Sequence, residues 1–244
     1  MPRGSLTVVG TGIRIGLHLT PESRAALEAA DDLLYLNAEP LADEWLASLH
    51  PRARSLAPLY RVGADREQIY EAIVEAVLEP VRAGRSVCAA FYGHPGVYVR
   101  PSHEAVRRAR REGHDARMLP AVSAEDCLFA DLGVDPAPGC ASYDATAFLV
   151  RPREIDTGAS LILWQVAAVG ERHAVAAGSH GKNLPRLAGR LLSDYPPEHE
   201  VVLYEASPFP AASPSIVRLP LRELATATPS PQATLYVPPL APTT

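Results

Sequence analysis

Short apolar runs that alternate with helical segments are the feature that most constrains how this chain folds. The runs at 6–10, 32–36 and 86–93 are rich in Val, Leu and Ala, and a segment with helical periodicity follows each of them. A continuous apolar run such as SVCAAFYG is typical of a strand that is buried on both faces of a parallel sheet. The alternation therefore predicts an α/β architecture with largely parallel sheets.

The same pattern starts again near residue 120. A second series of apolar runs lies at 160–166, 200–206 and 233–239. At roughly 150 residues per domain, 244 residues correspond to one large or two small domains. We therefore predict two α/β domains, an N-terminal one at 1–120 and a C-terminal one at 121–244.

Helix boundaries are marked by polar capping residues. Thr20 or Ser23 is expected to cap one helix, Asp65 a second, and Ser123 a third, in which Asp126 completes a capping-box spacing. The polar stretch before Asp65 is interpreted as an irregular loop. A further helix carries an arginine-rich face that we interpret as solvated, formed by Arg107, Arg108, Arg110 and Arg111.

Composition excludes several classes of protein. The net charge of −5 argues against a nucleic-acid-binding protein, which usually has a basic domain. No apolar run approaches the ~18 residues that a membrane span needs. The three widely spaced cysteines, Cys88, Cys127 and Cys140, favour a reducing cytoplasm over a disulfide framework or a zinc site. The start MPRGSLTVVG leads almost directly into a strand, so we expect no signal peptide.

Two glycine-containing loops follow strands of the first half. The turn Gly10-Thr11-Gly12 lacks the third glycine of a dinucleotide fingerprint, because position 15 is Ile15. We interpret it as a tight turn where another backbone comes close. The second loop, 91–98 (FYGHPGVY), follows a central strand, at the edge where open α/β sheets bind ligands. Its His94 is either a hydrogen-bonding strut or an acid–base group.

Two further groups of residues have chemical potential. The turn before Ser123 offers backbone N–H groups at a helix start, which suit a carboxylate or a ribose oxygen, although a plain helix cap explains it equally well. Arg66 and Tyr70 are four residues apart on one helix face, and Tyr60 lies in the preceding loop. An arginine lowers the pKa of a neighbouring tyrosine, so such a group can accept a proton or stabilise an oxyanion. The alternative is that Tyr70 packs beside Ile69 while Arg66 faces water.

Together these segments resemble the tetrapyrrole methylase superfamily. The similarity rests on Gly10-Thr11-Gly12, AADDLLYL, the FYGHPG loop, PAVSAEDCLFADLGV and TLYVPP, and it extends from residue 6 to 239. It implies binding of S-adenosylmethionine (SAM) in a cleft between two α/β domains, with S-adenosylhomocysteine as the product and no metal. The superfamily usually has Gly-Asp-Pro-Gly where this chain has His94. That departure is similar to the borosin peptide methyltransferases, which methylate backbone amide nitrogens.

The resemblance also implies roles for single residues. The borosin catalytic segment aligns with 59–70, and another tyrosine of that segment falls on Ala57 here. The implied catalytic residues are Tyr60, Arg66, Tyr70 and Tyr92, with interchangeable roles as base and hydrogen-bond donors. The implied SAM-binding residues are Tyr92, His94, Pro95, Gly96, Val97, Ser123, Ala124, Gln165, Tyr204 and Thr234.

The resemblance leads to three alternative functions. The first is backbone N-methylation of a separate precursor peptide by a cytoplasmic homodimer, because the chain ends at 240–244 without a fused core peptide. The second is methylation of a tetrapyrrole or another small molecule. The third is a SAM-binding protein without catalysis. The joint presence of Tyr60, Arg66 and Tyr70 favours catalysis.

Overall fold

The chain forms two compact units in a computed structural model that describes residues 3–37, 39–151, 153–174 and 181–240. One unit extends to Cys127 and also includes Ser207–Ala212, and the other comprises Leu128–Ala206 and the chain from Ser213 onward. The border lies inside helix α5 (Ala124–Leu132), whereas the sequence-based prediction divides the chain before it, at residue 120. The end of the chain at 241–244, used above for the expectation of no fused peptide, lies outside the described residues.

The first unit contains a five-stranded parallel sheet. Its strands are β1 (Ser5–Gly10), β2 (Asp32–Leu36), β3 (Ala53–Ser55), β4 (Ser86–Phe91) and β5 (Asp115–Met118). They are arranged in the order β3-β2-β4-β1-β5, and every neighbouring pair is parallel. The central strands β1 and β4 are almost completely buried, as their uninterrupted apolar sequences predict.

Helices cover both faces of this sheet. They are α1 (Pro21–Ala29), α2 (Pro40–Leu49), α3 (Arg66–Arg82) and α4 (Arg100–Arg111). Leu27 of α1 and Leu46 of α2 share a buried cluster with Val9, Leu33 and Cys88 of the strands. Helices α3 and α4 pack against each other and against β4, β1 and β5 on the opposite face.

The second unit contains a mixed sheet. Its strands are β6 (Cys140–Asp144), β7 (Ser160–Trp164), β8 (Glu200–Glu205), β9 (Ser215–Pro220) and β10 (Thr234–Val237), in the order β6-β7-β10-β8-β9. The β6–β7 pair is parallel, and the other three pairs are antiparallel. The core of this unit lies between the sheet and the helices α6 (Ala145–Val150), α7 (Leu184–Leu191) and the 3-10 segment Leu221–Thr226.

The predicted α/β architecture is confirmed, and most of the predicted elements are present. Thr20 caps α1 and Asp65 caps α3 through their side-chain oxygens, as expected. Strand β3 is a correction, because the sequence predicts an irregular loop there. It contains three residues, too few for a recognisable periodicity, and it forms because Leu33 and Tyr35 of β2 lie opposite it in the sheet. The prediction of largely parallel sheets is correct for the first unit only.

No helix of the described part of the chain combines the length and the apolar character needed to cross a membrane.

Candidate active site

The carboxyl edge of the first sheet is where the candidate residues of this unit collect. Strands β1 and β4 are neighbours, with Gly10 opposite Phe91. The chain leaves β1 towards the face covered by α1 and leaves β4 towards the face covered by α4. Adjacent parallel strands whose connections leave to opposite faces form a topological switch point, the usual ligand-binding crevice of an open α/β sheet.

The glycines of the β1 turn bring two loops into backbone contact at this edge. The N–H of Gly93 donates to the carbonyl of Gly12 at 3.0 Å, and the Gly12 N–H donates back at 3.2 Å. A Cβ on Gly10 would lie 2.2 Å from the Gly93 carbonyl oxygen, so no side chain fits there. The interpretation as a tight turn approached by another backbone is therefore confirmed.

His94 holds the second loop in shape. Its Nδ1 accepts a hydrogen bond from the Gly96 N–H at 2.9 Å, and the Val97 N–H donates to the His94 carbonyl at 3.1 Å. An aspartate at this position would accept from the N–H two residues further on in the same way, as an Asx turn does. The side chain thus acts as the hydrogen-bonding strut considered above. Pro95, the next residue, is buried.

Tyr60 and Tyr70 meet beside Arg66. The cap at Asp65 starts α3, so that Arg66 and Tyr70 lie one turn apart, and Tyr60 directly follows a 3-10 turn at Ala57–Leu59. Although 44% of Tyr60 is exposed, its phenol is crowded, and desolvation raises its pKa above the usual value. The charge of Tyr70 and a hydrogen bond to Tyr70 raise this pKa further, while Arg66 lowers it.

The two phenols share one hydrogen bond, and either of them can donate it, because a phenol is both a donor and an acceptor. Arg66 places a positive charge beside this pair, where it favours the ionised form of Tyr60.

Tyr92 faces a small set of polar residues at the same edge. It is half-buried, and its N–H donates to the Leu36 carbonyl at 3.2 Å. With Thr11, Asn37 and Trp45 it lines a narrow cleft of about 10 Å³ in the first unit. The amide of Asn37 lies 3.5 Å from the hydroxyl of Thr11. Sequence reasoning missed Thr11 and Asn37, although each directly follows a predicted strand.

The turn at Ser123 is a complete capping box. The N–H and the hydroxyl of Ser123 both donate to Asp126 Oδ2 at 2.7 Å, and the Asp126 N–H returns a bond to the Ser123 oxygen at 3.2 Å. The polar groups of Ser123 are thus engaged within the cap. Ala124 is the first residue of α5, and its N–H is one of the first-turn donors that have no acceptor within the helix. It is therefore better suited than Ser123 to bind an anionic group of a ligand.

The three predicted residues of the second unit lie at one edge of its sheet. Thr234, at the start of β10, pairs with Tyr204 of β8. The next residue, Leu235, pairs with Leu163 near the end of β7. The start of β10 therefore lies beside the end of β7, which Gln165 directly follows. Gln165 has a left-handed backbone, with φ of 59°. The buried Tyr204 donates its hydroxyl to Asp131 at 2.6 Å, a partner that the sequence did not predict.

The structure thus brings the predicted residues of the first unit to one sheet edge and those of the second unit to another. Among the residues described, no group of three His, Cys, Asp or Glu side chains is arranged to hold a metal ion.

Comparison with known proteins connects these two units to one family. The family model for Tetrapyrrole (Corrin/Porphyrin) Methylases matches residues 5–225. The chain is 40% identical over 222 residues to a Gymnopus fusipes protein named as a methyltransferase and ribosomally synthesized cyclic peptide precursor of gymnopeptides, which covers 91% of this chain and 53% of that protein. It is 41% identical over 212 residues to the corresponding omphalotin A precursor of Omphalotus olearius, which covers 86% of this chain and 51% of that one. The chain therefore spans about half the length of these curated relatives.

Solved structures show the same fold at lower identity. Cobalt precorrin-4 methyltransferase has a TM-score of 0.71 at 18% identity, covering 98% of this chain and 97% of the other. Uroporphyrin-III C-methyl transferase from Thermus thermophilus, solved with S-adenyl homocysteine, has a TM-score of 0.64 at 21% identity, covering 96% of this chain and 92% of the other.

Proposed function

Because the chain belongs to the tetrapyrrole (corrin/porphyrin) methylase family, we propose that it transfers the methyl group of SAM to backbone amide nitrogens of a peptide. The family match over residues 5–225 supports a SAM-dependent methyltransferase. The names of the relatives, which combine a methyltransferase with a cyclic peptide precursor, support a peptide as the substrate. The single structural observation that carries the proposal is the hydrogen bond between Tyr60 and Tyr70 beside Arg66.

The chemistry of an amide explains why this trio is suited to the reaction. The nitrogen lone pair of a peptide bond is delocalised into the carbonyl, so the nitrogen is a poor nucleophile. Removal of its proton, with stabilisation of negative charge on the carbonyl oxygen, makes it reactive. The SAM methyl group supplies the electrophile, and the remaining task of the protein is to orient the peptide and to hold or move that proton.

The raised pKa of Tyr60 supports different roles for the two tyrosines. Tyr60 keeps its proton, because burial and Tyr70 raise its pKa, and it therefore serves as a donor. Tyr70, which shares that hydrogen bond and lies one turn from Arg66, is the proposed base and takes the amide proton in its phenolate form. Tyr92 is proposed as a second donor to the developing oxyanion, by resemblance and by its place at the same sheet edge.

The first unit offers groups that fit SAM. The His94 strut and the buried Pro95 shape the loop that ends at Gly96 and Val97. The N–H of Ala124 at the start of α5 suits the carboxylate of the amino-acid part. The remaining members of the proposed set, Ser123, Gln165, Tyr204 and Thr234, stay predictions by resemblance.

A direct test supplies the peptide as a separate molecule. The chain is coexpressed with the peptide encoded beside its gene, and intact mass spectrometry is expected to show increments of one methyl group, which fragmentation places on backbone nitrogens. A Tyr70→Phe chain is the control. Methyl groups on side chains, or on uroporphyrin III but not on the peptide, contradict the proposal. Binding of SAM without methylation of either indicates the non-catalytic alternative.

The separate precursor and the homodimer are also part of the proposal. Light scattering of the purified chain at micromolar concentration is expected to give the mass of two copies, and a monomer mass contradicts that part alone.

A further inference from the structure

A further cavity of the first unit lies at the amino edge of its sheet, where β2, β3 and β4 begin. Its volume is about 550 Å³, within the range of pockets that bind small molecules. Three arginines line it: Arg52 directly precedes β3, Arg54 lies within β3, and Arg85 directly precedes β4. Because the strands are parallel, this edge is opposite the carboxyl edge that carries the candidate active site. We call this cavity the arginine cavity.

Helix α3 shows how far the arginine cavity lies from the candidate active site. The helix begins at Arg66 of the proposed catalytic trio, and Pro80 near its end lines the cavity. From residue 66 to residue 80, at about 1.5 Å per residue, the helix advances about 21 Å. The arginine cavity is therefore separate from the proposed chemistry.

A buried carboxylate holds two of the arginines in place. Asp32 is buried, and its two oxygens are paired with Arg52 at 3.0 Å and with Arg85. Arg85 also donates to the carbonyl of Asp31 at 3.1 Å. Within the described residues these contacts engage one side-chain nitrogen of Arg52 and two of Arg85, whereas a guanidinium has three nitrogens and five N–H groups. Both arginines therefore keep donors after the carboxylate is satisfied.

Arg54 contributes a guanidinium that is not used within the protein. It is exposed, and its side chain forms no ion pair or hydrogen bond with any residue that the structure describes. Arg52 and Arg54 are two residues apart on an extended chain, so their side chains lie on the same face. The donors of Arg54 are therefore available to a ligand beside those of Arg52.

The segment before β3 is fixed before any ligand arrives. The N–H of Arg52 donates to Nδ1 of the buried His50 at 3.1 Å. A neutral imidazole that accepts at Nδ1 carries its proton on Nε2, and Nε2 lies 3.0 Å from the carbonyl of Ala30. Both ring nitrogens are thus engaged, which orders the backbone that carries the arginines. A preordered site loses less conformational freedom when it binds.

The lining of the arginine cavity favours an anion. It contains three arginines and two carboxylates, of which Asp32 is already paired and Glu79 is exposed. The end of α3 lines one side, and the carbonyls of a helix end repel an anion. Here the carbonyls of residues 79–81 already accept hydrogen bonds from the N–H groups of residues 83–85. Unused donors therefore outnumber free acceptors in the cavity.

We propose that the arginine cavity binds a small phosphate ester. The three outer oxygens of a phosphate ester accept hydrogen bonds from several guanidinium groups at once, and arginine forks match this geometry. The remaining wall, formed by Pro51, Pro80 and Ala83, is suited to the organic part of the ester. This site is additional to the proposed methyl transfer and does not depend on it.

A small molecule fits the cavity better than the phosphate groups of a membrane. None of the large apolar side chains that are exposed in the described residues lines this cavity. A protein that lies on a lipid surface usually buries such side chains in it. The occupant is therefore expected to enter as a free molecule.

The test measures binding by calorimetry without SAM or peptide, so it is independent of methylation. Phenyl phosphate is compared with benzoate, which carries a carboxylate on the same ring, and with inorganic phosphate. Wild type is expected to bind phenyl phosphate at least about tenfold more tightly than benzoate, because more charge-assisted hydrogen bonds form. Inorganic phosphate should bind more weakly than phenyl phosphate, since it lacks the apolar ring.

Two variants should change this binding in opposite directions. Arg54→Met removes charge-assisted hydrogen bonds and should weaken phenyl phosphate binding about tenfold or more. Because Arg54 does not contact Asp32, the buried ion pairs remain. Glu79→Gln removes a negative charge from the lining and should tighten binding by about two- to fivefold.

Arg117→Met is the matched control. Arg117 is an exposed arginine in β5, the other edge strand of the same sheet, and it does not line the cavity. This variant should bind phenyl phosphate within about twofold of wild type. Unchanged melting temperatures of all three variants show that they are folded.

Four results overturn the inference. The first is no binding of phenyl phosphate at millimolar concentration, which leaves the arginines as partners of Asp32 alone. The second is equal binding of benzoate and phenyl phosphate, which excludes phosphate as the recognised group. The third is equal weakening in Arg54→Met and Arg117→Met, which indicates general attraction by surface charge. The fourth is sedimentation with vesicles of equal parts phosphatidylcholine and phosphatidic acid that Arg54→Met abolishes, which assigns the cavity to a lipid headgroup.

Discussion

At the contact between Tyr60 and Tyr70, the proton of Tyr60 is held more firmly than that of an ordinary tyrosine. Burial of the Tyr60 phenol, the charge of Tyr70 and the hydrogen bond to it all raise the pKa of Tyr60, and the opposing effect of Arg66 is smaller. A phenol that keeps its proton can donate a hydrogen bond to a developing oxyanion.

Loss of the proposed base should slow methyl transfer without changing the affinity for SAM. In Tyr70→Phe the ring still packs, and in Arg66→Ala the helix cap at Asp65 is retained, so calorimetry should give SAM affinities near that of wild type. Single-turnover methylation should slow by about 10²–10⁴-fold, the range for one acid–base group. A double variant should lose far less than the product of the two effects, because the residues act as a unit. A near-normal single-turnover rate in Tyr70→Phe removes this tyrosine from the mechanism.

The His94 strut makes a second prediction at the residue scale. His94→Asp preserves an acceptor for the Gly96 N–H and should keep near-normal affinity for S-adenosylhomocysteine. His94→Ala loses that hydrogen bond, worth about 1 kcal/mol, and should bind about fivefold more weakly. Calorimetry on both variants provides the measurement, and equal affinities for the two would show that the strut does not shape the site.

Between elements, helices α3 and α4 are joined by ion pairs. Arg108 was expected to be solvated, but its guanidinium pairs with Glu71 at 2.5 Å and with Glu75 at 3.1 Å on α3, and with Glu104 on its own helix at 2.5 Å. Its side chain is only 21% exposed. Arg108 lies close to the neighbouring helix α3, and the helical periodicity of the sequence does not reveal this. Its position explains why Arg108 is paired rather than solvated.

These pairs predict how stability depends on acid. Arg107 and then Arg108 lower the pKa of Glu104 to about 2, and Arg108 also lowers the pKa of Glu71. A carboxyl whose pKa is lower in the folded state stabilises fully above its unfolded pKa of about 4.3 and loses that effect as the pH falls towards about 2. The melting temperature should therefore fall with acid in this window, and less steeply in Arg108→Met. Equal slopes for both proteins, measured by circular dichroism in low salt, contradict a role of the pairs.

For the whole molecule, ligand binding should appear as added stability. S-adenosylhomocysteine at about 100 times its Kd should raise the free energy of unfolding by about 2.7 kcal/mol, because only the folded chain binds it. For a chain of this size the melting temperature should rise by about 5–10 °C. Gly96→Leu should abolish the rise, since even a Cβ there would lie 3.1 Å from the ring of His94. Gly189→Ala, with open space around it, is the matched control and should keep the rise.

The sequence alone determined the features that depend on local patterns. The bounds of β2, the caps at Thr20 and Asp65 and the two-unit α/β architecture were all predictable. They follow from apolar periodicity and capping chemistry, which act within a few residues of the chain. The same local logic placed Arg66 and Tyr70 on one helix face.

Only the tertiary structure decided the features that depend on neighbours distant in sequence. Strand β3 exists because β2 pairs with it, and the second sheet is mostly antiparallel because β10 lies between β7 and β8. The sequence predicted that an arginine would lower the pKa of an adjacent tyrosine, whereas at Tyr60 burial and Tyr70 outweigh Arg66. Desolvation and hydrogen bonding depend on what surrounds a group in space, so their balance is established only when the turn at Ala57–Leu59 packs against α3.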